Sequence, residues 1–179
     1  GFIAAVGFEL YCRLLQDAVR EIKGETPPPK PIDVKLDLAV EAYIPNEYIA
    51  DGAARIEMYH DLSSVTDTAA LDDLEAAMAD RFGPLPPSVR ALFLLVRIKF
   101  AARRAGIGRV TVSADGTLGL GFEGAADAVR ERIMTFIKRC GRPCEVVAGE
   151  DQTVVKMRLA SSGKNERVQE VLGILSGGL

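Results

Sequence analysis

The chain has 179 residues, 48% of them hydrophobic and 26% charged, with 22 basic against 25 acidic side chains and a formal net charge of −3. This is the composition of a globular chain, which can bury roughly 70% of the surface its unfolded form exposes without disulfide or metal staples. It excludes a disordered tail, a global attraction to nucleic acid or anionic lipid, and a membrane-spanning helix, since no run approaches the ~20 apolar residues a span requires.

The start, Gly1-Phe2-Ile3-Ala4-Ala5-Val6-Gly7, lacks a basic region and a cleavage site and reads as the interior of a longer polypeptide. Residues 7–23 predict an amphipathic helix with Phe8, Tyr11, Leu15, Val19 and Ile22 on one face, closed at Gly24. The Pro-rich segment 25–31 cannot be helical, because each Pro lacks an N–H and restricts its predecessor, and it predicts a stiff linker. Val34, Leu36, Leu38 and Val40 alternate with mostly polar residues, the period of a strand with one buried face. Helical spacing returns over 46–62 and again over 68–82, the latter capped by Thr66 or Asp67 and closed at Gly83. Pro84-Leu-Pro-Pro87 breaks the chain and opens a third helix, 87–105, with Val89, Phe93, Val96 and Phe100 as its stripe.

From Ile107 the texture changes. Strands over 107–113 and 117–122 flank the Asp115-Gly116 turn, a helix follows over 125–140, then strands near 144–148 and 153–159 and a helix over 164–176. This ββα–ββα order predicts a mainly antiparallel sheet with helices on one face, preceded by a helical part: an α+β fold. The domain reading is 1–24 as a helix from an upstream unit, 25–31 as linker and 32–179 as one domain, helical over 46–105 and ββαββα-like over 107–179.

Motifs for catalysis are weak. Gly119-Leu-Gly121-Phe-Glu-Gly124 matches G-x-G-x-x-G, but such a loop holds a pyrophosphate only after a buried parallel strand, and this strand closes a hairpin. Ser162-Gly163-Lys164 has Arg158 where a P-loop needs its first Gly. Cys140 and Cys144 are one residue too far apart for a redox pair, and zinc would need two further ligands from Cys12 and His60. Three cysteines without framework spacing predict reduced thiols in the cytoplasm. With one histidine, acid–base chemistry would rest on carboxylates or lysines, and no nucleophile motif follows His60. The expectation is a domain with no catalytic centre, cofactor or metal of its own.

Two charged helix faces remain. Asp67, Asp72, Asp73, Glu75 and Asp80 make 66–82 strongly acidic over Leu71, Leu74, Met78 and Phe82. Arg90, Arg97 and Arg104 recur seven apart on the next helix, with Lys99, Arg103 and Arg109 nearby. Each is either a solvated face or a surface complementary to a partner; the basic one would suit phosphates of a nucleic acid.

Val6-Gly-Phe-Glu-Leu-Tyr11, then Tyr43-Ile-Pro-Asn-Glu-Tyr-Ile-Ala-Asp51 leading into Arg55-Ile-Glu-Met-Tyr59, then Asp80-Arg-Phe-Gly-Pro-Leu-Pro86 closely resemble, in this order and spacing, the C-terminal region of bacterial transcription-repair coupling factors, the Mfd family. The resemblance covers most of 1–105. It implies a parent protein that is an ATP-driven, Mg-dependent translocase on double-stranded DNA, which contacts RNA polymerase and recruits UvrA, with its motor upstream. It also implies that the present region is an autoinhibitory domain, packing on an N-terminal domain and masking the UvrA-binding surface until polymerase is engaged. The contact candidates are Asp73, Glu75, Asp80 and Arg81, with Ala77 standing where relatives commonly carry Glu. The other reading is a nucleic-acid module using Arg90, Arg97 and Arg104.

Overall fold

In the computed structural model, residues 34–177 are described; the expected helix 7–23, the linker 25–31 and Cys12 lie outside them. The described chain has an α+β fold of five helices and one five-stranded sheet. It divides into two compact units, residues 41–96 and residues 34–40 with 97–177.

In the first unit, residues 45–50 turn rather than spiral. Pro45 supplies one carbonyl to the N–H groups of both Tyr48 and Ile49, at 3.1 Å each. Helix α1 (Gly52–Ser64) therefore starts later than the spacing of Tyr48 and Ile49 predicts, at an Asp51 cap whose side chain accepts from the Ala53 N–H at 2.8 Å. Its register also differs. Ile56, expected in the core, is 47% exposed, while Met58, Tyr59 and Leu62 are buried. Helix α2 (Thr68–Phe82) follows and buries Leu71 and Met78. Helix α3 (Pro87–Arg104) comes after the proline break. Its first ten residues belong to this unit, in which Val89, Leu92 and Phe93 have no exposed surface.

The loop before α1 is held from inside the core. Tyr59, fully buried, accepts the Ile44 N–H on its hydroxyl at 2.8 Å. Arg55 donates to the carbonyls of Ile49 (2.6 Å) and Ala50 (3.0 Å). A buried backbone donor without a partner is costly, so these contacts decide whether the loop keeps one conformation.

The second unit is built on the sheet. Its order is β1-β2-β3-β5-β4, from β1 (Lys35–Asp37), β2 (Ile107–Val112), β3 (Thr117–Glu123), β4 (Glu145–Val147) and β5 (Gln152–Arg158). Only β1 runs parallel to its neighbour, β2; the other pairings are antiparallel. The predicted strand 34–40 is reduced to three residues because Val40 N–H turns back to the Leu38 carbonyl at 2.6 Å and leaves the ladder. Gly116, at φ 85°, allows the turn between β2 and β3, which Asp115 secures by accepting the Thr117 N–H and hydroxyl.

The two hairpins meet through their second strands, β3 on β5, and each is followed by a helix. That pseudo-symmetric order is what a ββα–ββα pattern predicts. Helix α4 (Ala126–Cys140) lies on β3 and β5, with Phe136 edge-on to Phe122 at 6.1 Å, and α5 (Lys164–Gly177) packs beside it. Leu118, Leu120, Phe122, Val155 and Met157 form the buried face of the sheet. The alternate positions Lys35, Arg109 and Lys156 are exposed.

Glu170 ties three segments together in this unit. Its carboxylate, 10% exposed, takes hydrogen bonds from the N–H groups of Ala160 (3.0 Å) and Ser161 (2.8 Å) and from the Arg142 guanidinium. Burial pushes its pKa up, but the Ala160 N–H, Arg142 and the Ser161 N–H outweigh that and hold it at about 2, below its ordinary 4.5.

Two outcomes follow. Tyr59→Phe leaves the Ile44 N–H without its partner and should lower stability by about 1–3 kcal/mol in urea unfolding. Because the folded-state pKa of Glu170 is depressed, its contribution is complete above the unfolded value and disappears as the pH falls from about 5 to about 2. Thermal melts across that range should show Glu170→Gln less stable than the native chain at pH 7, with the difference shrinking in acid.

Candidate protein-docking site

Helix α2 carries the acidic face. Asp67, extended at φ −147°, caps it by accepting the Ala70 N–H at 2.9 Å, which selects between the two predicted cap residues. At the other end the Gly83 N–H reaches the Ala79 carbonyl at 2.9 Å, and φ 89° at Gly83 turns the chain out of the helix. Between these stops Leu71 and Met78 face the core, while Asp73, Ala76, Ala77 and Asp80 are exposed.

Those four residues are spaced i, i+3, i+4 and i+7, so they form one stripe along the helix. Two carboxylates flank two alanines whose short side chains leave the backbone approachable. Arg81 is exposed beside Asp80. Glu75 projects about 160° away from Asp73 at 100° per residue, is half-buried and is engaged in an interaction of its own. Of the four contact candidates, the structure thus groups Asp73, Asp80 and Arg81 and sets Glu75 apart.

The end of the helix is braced by aromatic contacts. The Arg81 guanidinium carbon lies 4.9 Å from the centre of the Phe82 ring. Phe82 meets Tyr48 edge-to-face at 6.1 Å, and the Tyr48 hydroxyl donates to the Gly83 carbonyl at 2.7 Å, with the Met78 carbonyl at 3.4 Å. Burial raises the Tyr48 pKa above its ordinary value. Tyr48, Arg55 and Tyr59 act as positioning residues that sequence reasoning did not single out. The available signal was two tyrosines and an arginine within the two motifs around a proline-initiated loop.

The other candidates are more dispersed. Arg90, exposed, belongs to the first unit, while Arg97 and Arg104 belong to the second. Arg97 is half-buried and has an interaction of its own. His60 is half-exposed, with Nδ1 3.7 Å from an Asp61 carboxylate oxygen. Cys140 and Cys144 are free and half-buried; Cys140 Sγ lies 4.0 Å from Met157 Sδ. Burial, then the neighbouring Cys140, pushes the Cys144 thiol up, the opposite of a reactive thiolate. Gly119 and Gly121 sit on an antiparallel strand, where their missing Cβ atoms leave room for the side chains of Thr111 and Gln152. Among the described residues no group of three or more His, Cys, Asp or Glu is placed to hold a metal ion, and no helix is long and apolar enough to cross a membrane.

The chain is similar to known proteins over most of its length. The TRCF domain family matches residues 38–130. The transcription-repair-coupling factor of Bacillus subtilis (strain 168) is 31% identical over 180 residues, covering 99% of this chain and 15% of that protein. That of Staphylococcus haemolyticus is 40% identical over 109 residues, covering 60% of this chain and 9% of that protein. The chain thus spans a small fraction of the length of these relatives. A crystal structure of the C-terminal domain of a transcription-repair coupling factor superposes with a TM-score of 0.66 at 21% identity, covering 82% of this chain and 91% of that one, and shows the same fold.

Removing the α2 cap tests whether the stripe depends on helix order. Asp67→Ala should cost about 0.5–2 kcal/mol, and hydrogen exchange should quicken in the first turn of α2 while α4 is unaffected.

Proposed function

The chain belongs to the TRCF domain family, and from that premise we propose that it is a non-catalytic docking domain that holds its parent protein in a closed state. The surface used is the Asp73–Asp80 stripe of α2 with Arg81 at its edge. Its partner is a basic surface on an N-terminal domain of the same protein, where the contact masks the site that captures UvrA. Engagement of RNA polymerase opens the contact. The parent is then an ATP-driven, Mg-dependent translocase on double-stranded DNA, working in the cytoplasm, and this region restrains it without sharing its chemistry.

The observation that carries this reading is the braced acidic stripe. Residues 41–96 hold ten acidic against three basic side chains, and α2 presents two of those acids along one exposed line, with its end fixed by Tyr48. A fixed geometry lowers the ordering cost of docking. The energies suit a releasable contact. An exposed charge pair contributes about 0.2–1 kcal/mol, so two such pairs bias an open–closed equilibrium without locking it.

In the full-length parent, Asp73→Lys with Asp80→Lys should raise retention of UvrA on the immobilised protein roughly two- to thirtyfold, the range for losing two such pairs. Asp127→Lys, exposed on α4, is the control. Retention unchanged from the native protein in the double variant would refute the masking role.

A further inference from the structure

The net charge of −3 conceals a division. Residues 97–179 carry fourteen basic against nine acidic side chains, the reverse of residues 41–96. Within the second unit the structure concentrates part of this excess where α3 ends. Arg103 and Arg104 are exposed in the last turn of α3, which closes when the Gly106 N–H bonds to the Arg103 carbonyl at 3.1 Å. From α4, Arg132 reaches across to the same place. A Cβ on Gly106 would lie 2.7 Å from its Nη1, so the guanidinium occupies the space that the glycine leaves open. Gly106 also has φ +71°, a conformation that favours glycine. The turn that ends the helix carrying exposed Arg103 and Arg104 is thus also reached by Arg132, from an element further along the chain. Among the described residues no carboxylate forms an ion pair with any of them; the Glu123 side chain lies over Gly108.

We propose that Arg103, Arg104 and Arg132 form a contact surface for the phosphate backbone of duplex DNA. Arginine forks match phosphate oxygens in pairs and remain charged at any relevant pH. The surroundings favour a polyanion over an acidic protein. The exposed large hydrophobic residues of the described chain are Tyr43, Ile56, Met134, Val146 and Val147. The one of these on α4, Met134, is two residues from Arg132 and so about 200° around the helix. The cores of stable protein interfaces are enriched in aromatic and other large apolar side chains, and α4 exposes none on the side of Arg132; contacts to a phosphate backbone need only positioned cations. The grouping differs from the Arg90, Arg97 and Arg104 stripe read from helical spacing, because Arg132 joins it from another element.

The test uses chain 1–179 and a fluorescein-labelled 20-base-pair duplex followed by anisotropy. Three neutralised phosphates give a slope of about −2.7 in log affinity against log salt, which is about 40-fold weaker binding at 200 mM than at 50 mM salt. Each single Arg→Gln substitution should flatten the slope by about 0.9. The triple variant Arg103→Gln, Arg104→Gln, Arg132→Gln should lose binding, while the charge-matched control Arg90→Gln, Lys156→Gln, Lys164→Gln keeps it. All six side chains are exposed, and equal thermal melts verify that both variants fold. The proposal is overturned by no binding at 50 mM salt, by equal loss in both triple variants, or by polyglutamate displacing the native chain as well as unlabelled duplex does. The last outcome would assign the surface to an acidic protein.

Discussion

The first unit depends on how residues 44–50 satisfy their backbone. They belong to no helix or sheet, so their N–H and carbonyl groups need partners from elsewhere. Three side chains supply them. Tyr59 accepts the Ile44 N–H, Arg55 binds two consecutive carbonyls, and Tyr48, itself in the loop, donates to the Gly83 carbonyl. The loop is thereby tied to α1 on one side and to the end of α2 on the other. The three segments that carry the family resemblance in this unit are the three that these hydrogen bonds connect.

That arrangement explains why a surface helix can present a defined charge pattern. An isolated fifteen-residue helix is marginal in water. Here α2 is stopped by Asp67 and Gly83, anchored by Leu71 and Met78, and braced at its end by Tyr48 and Phe82. Its exposed carboxylates are consequently held in line. Glu75 shows the limit of composition as a guide: it adds to the acidity of the segment but stands on another side of the helix.

The pattern of elements was largely legible. Period-two alternation, the Asp115-Gly116 turn and the glycine stops placed five helices and five strands, all but the start of α1 within a few residues of where they lie. The failures have local causes. Pro45 and Asp51 form turns by hydrogen bonding that apolar spacing cannot register, so α1 starts at Gly52 rather than 46. The Val40–Leu38 hydrogen bond shortens β1 although its alternation of burial continues. The glycines of the G-x-G-x-x-G match were visible as a pattern, but their role depends on Thr111 and Gln152, which come from the two neighbouring strands.

The sequence alone determined the class of fold, the order of its elements, the acidity of 66–82 and the family, because periodicity, capping and motif spacing are local properties of a chain. Tertiary structure decided which charges share a surface. It aligned Asp73 with Asp80 and Arg81, turned Glu75 aside, and brought Arg132 to Gly106, at the end of the helix that carries Arg103 and Arg104. Such groupings depend on contacts between residues distant in sequence, and no local pattern encodes where two side chains some thirty positions apart will meet.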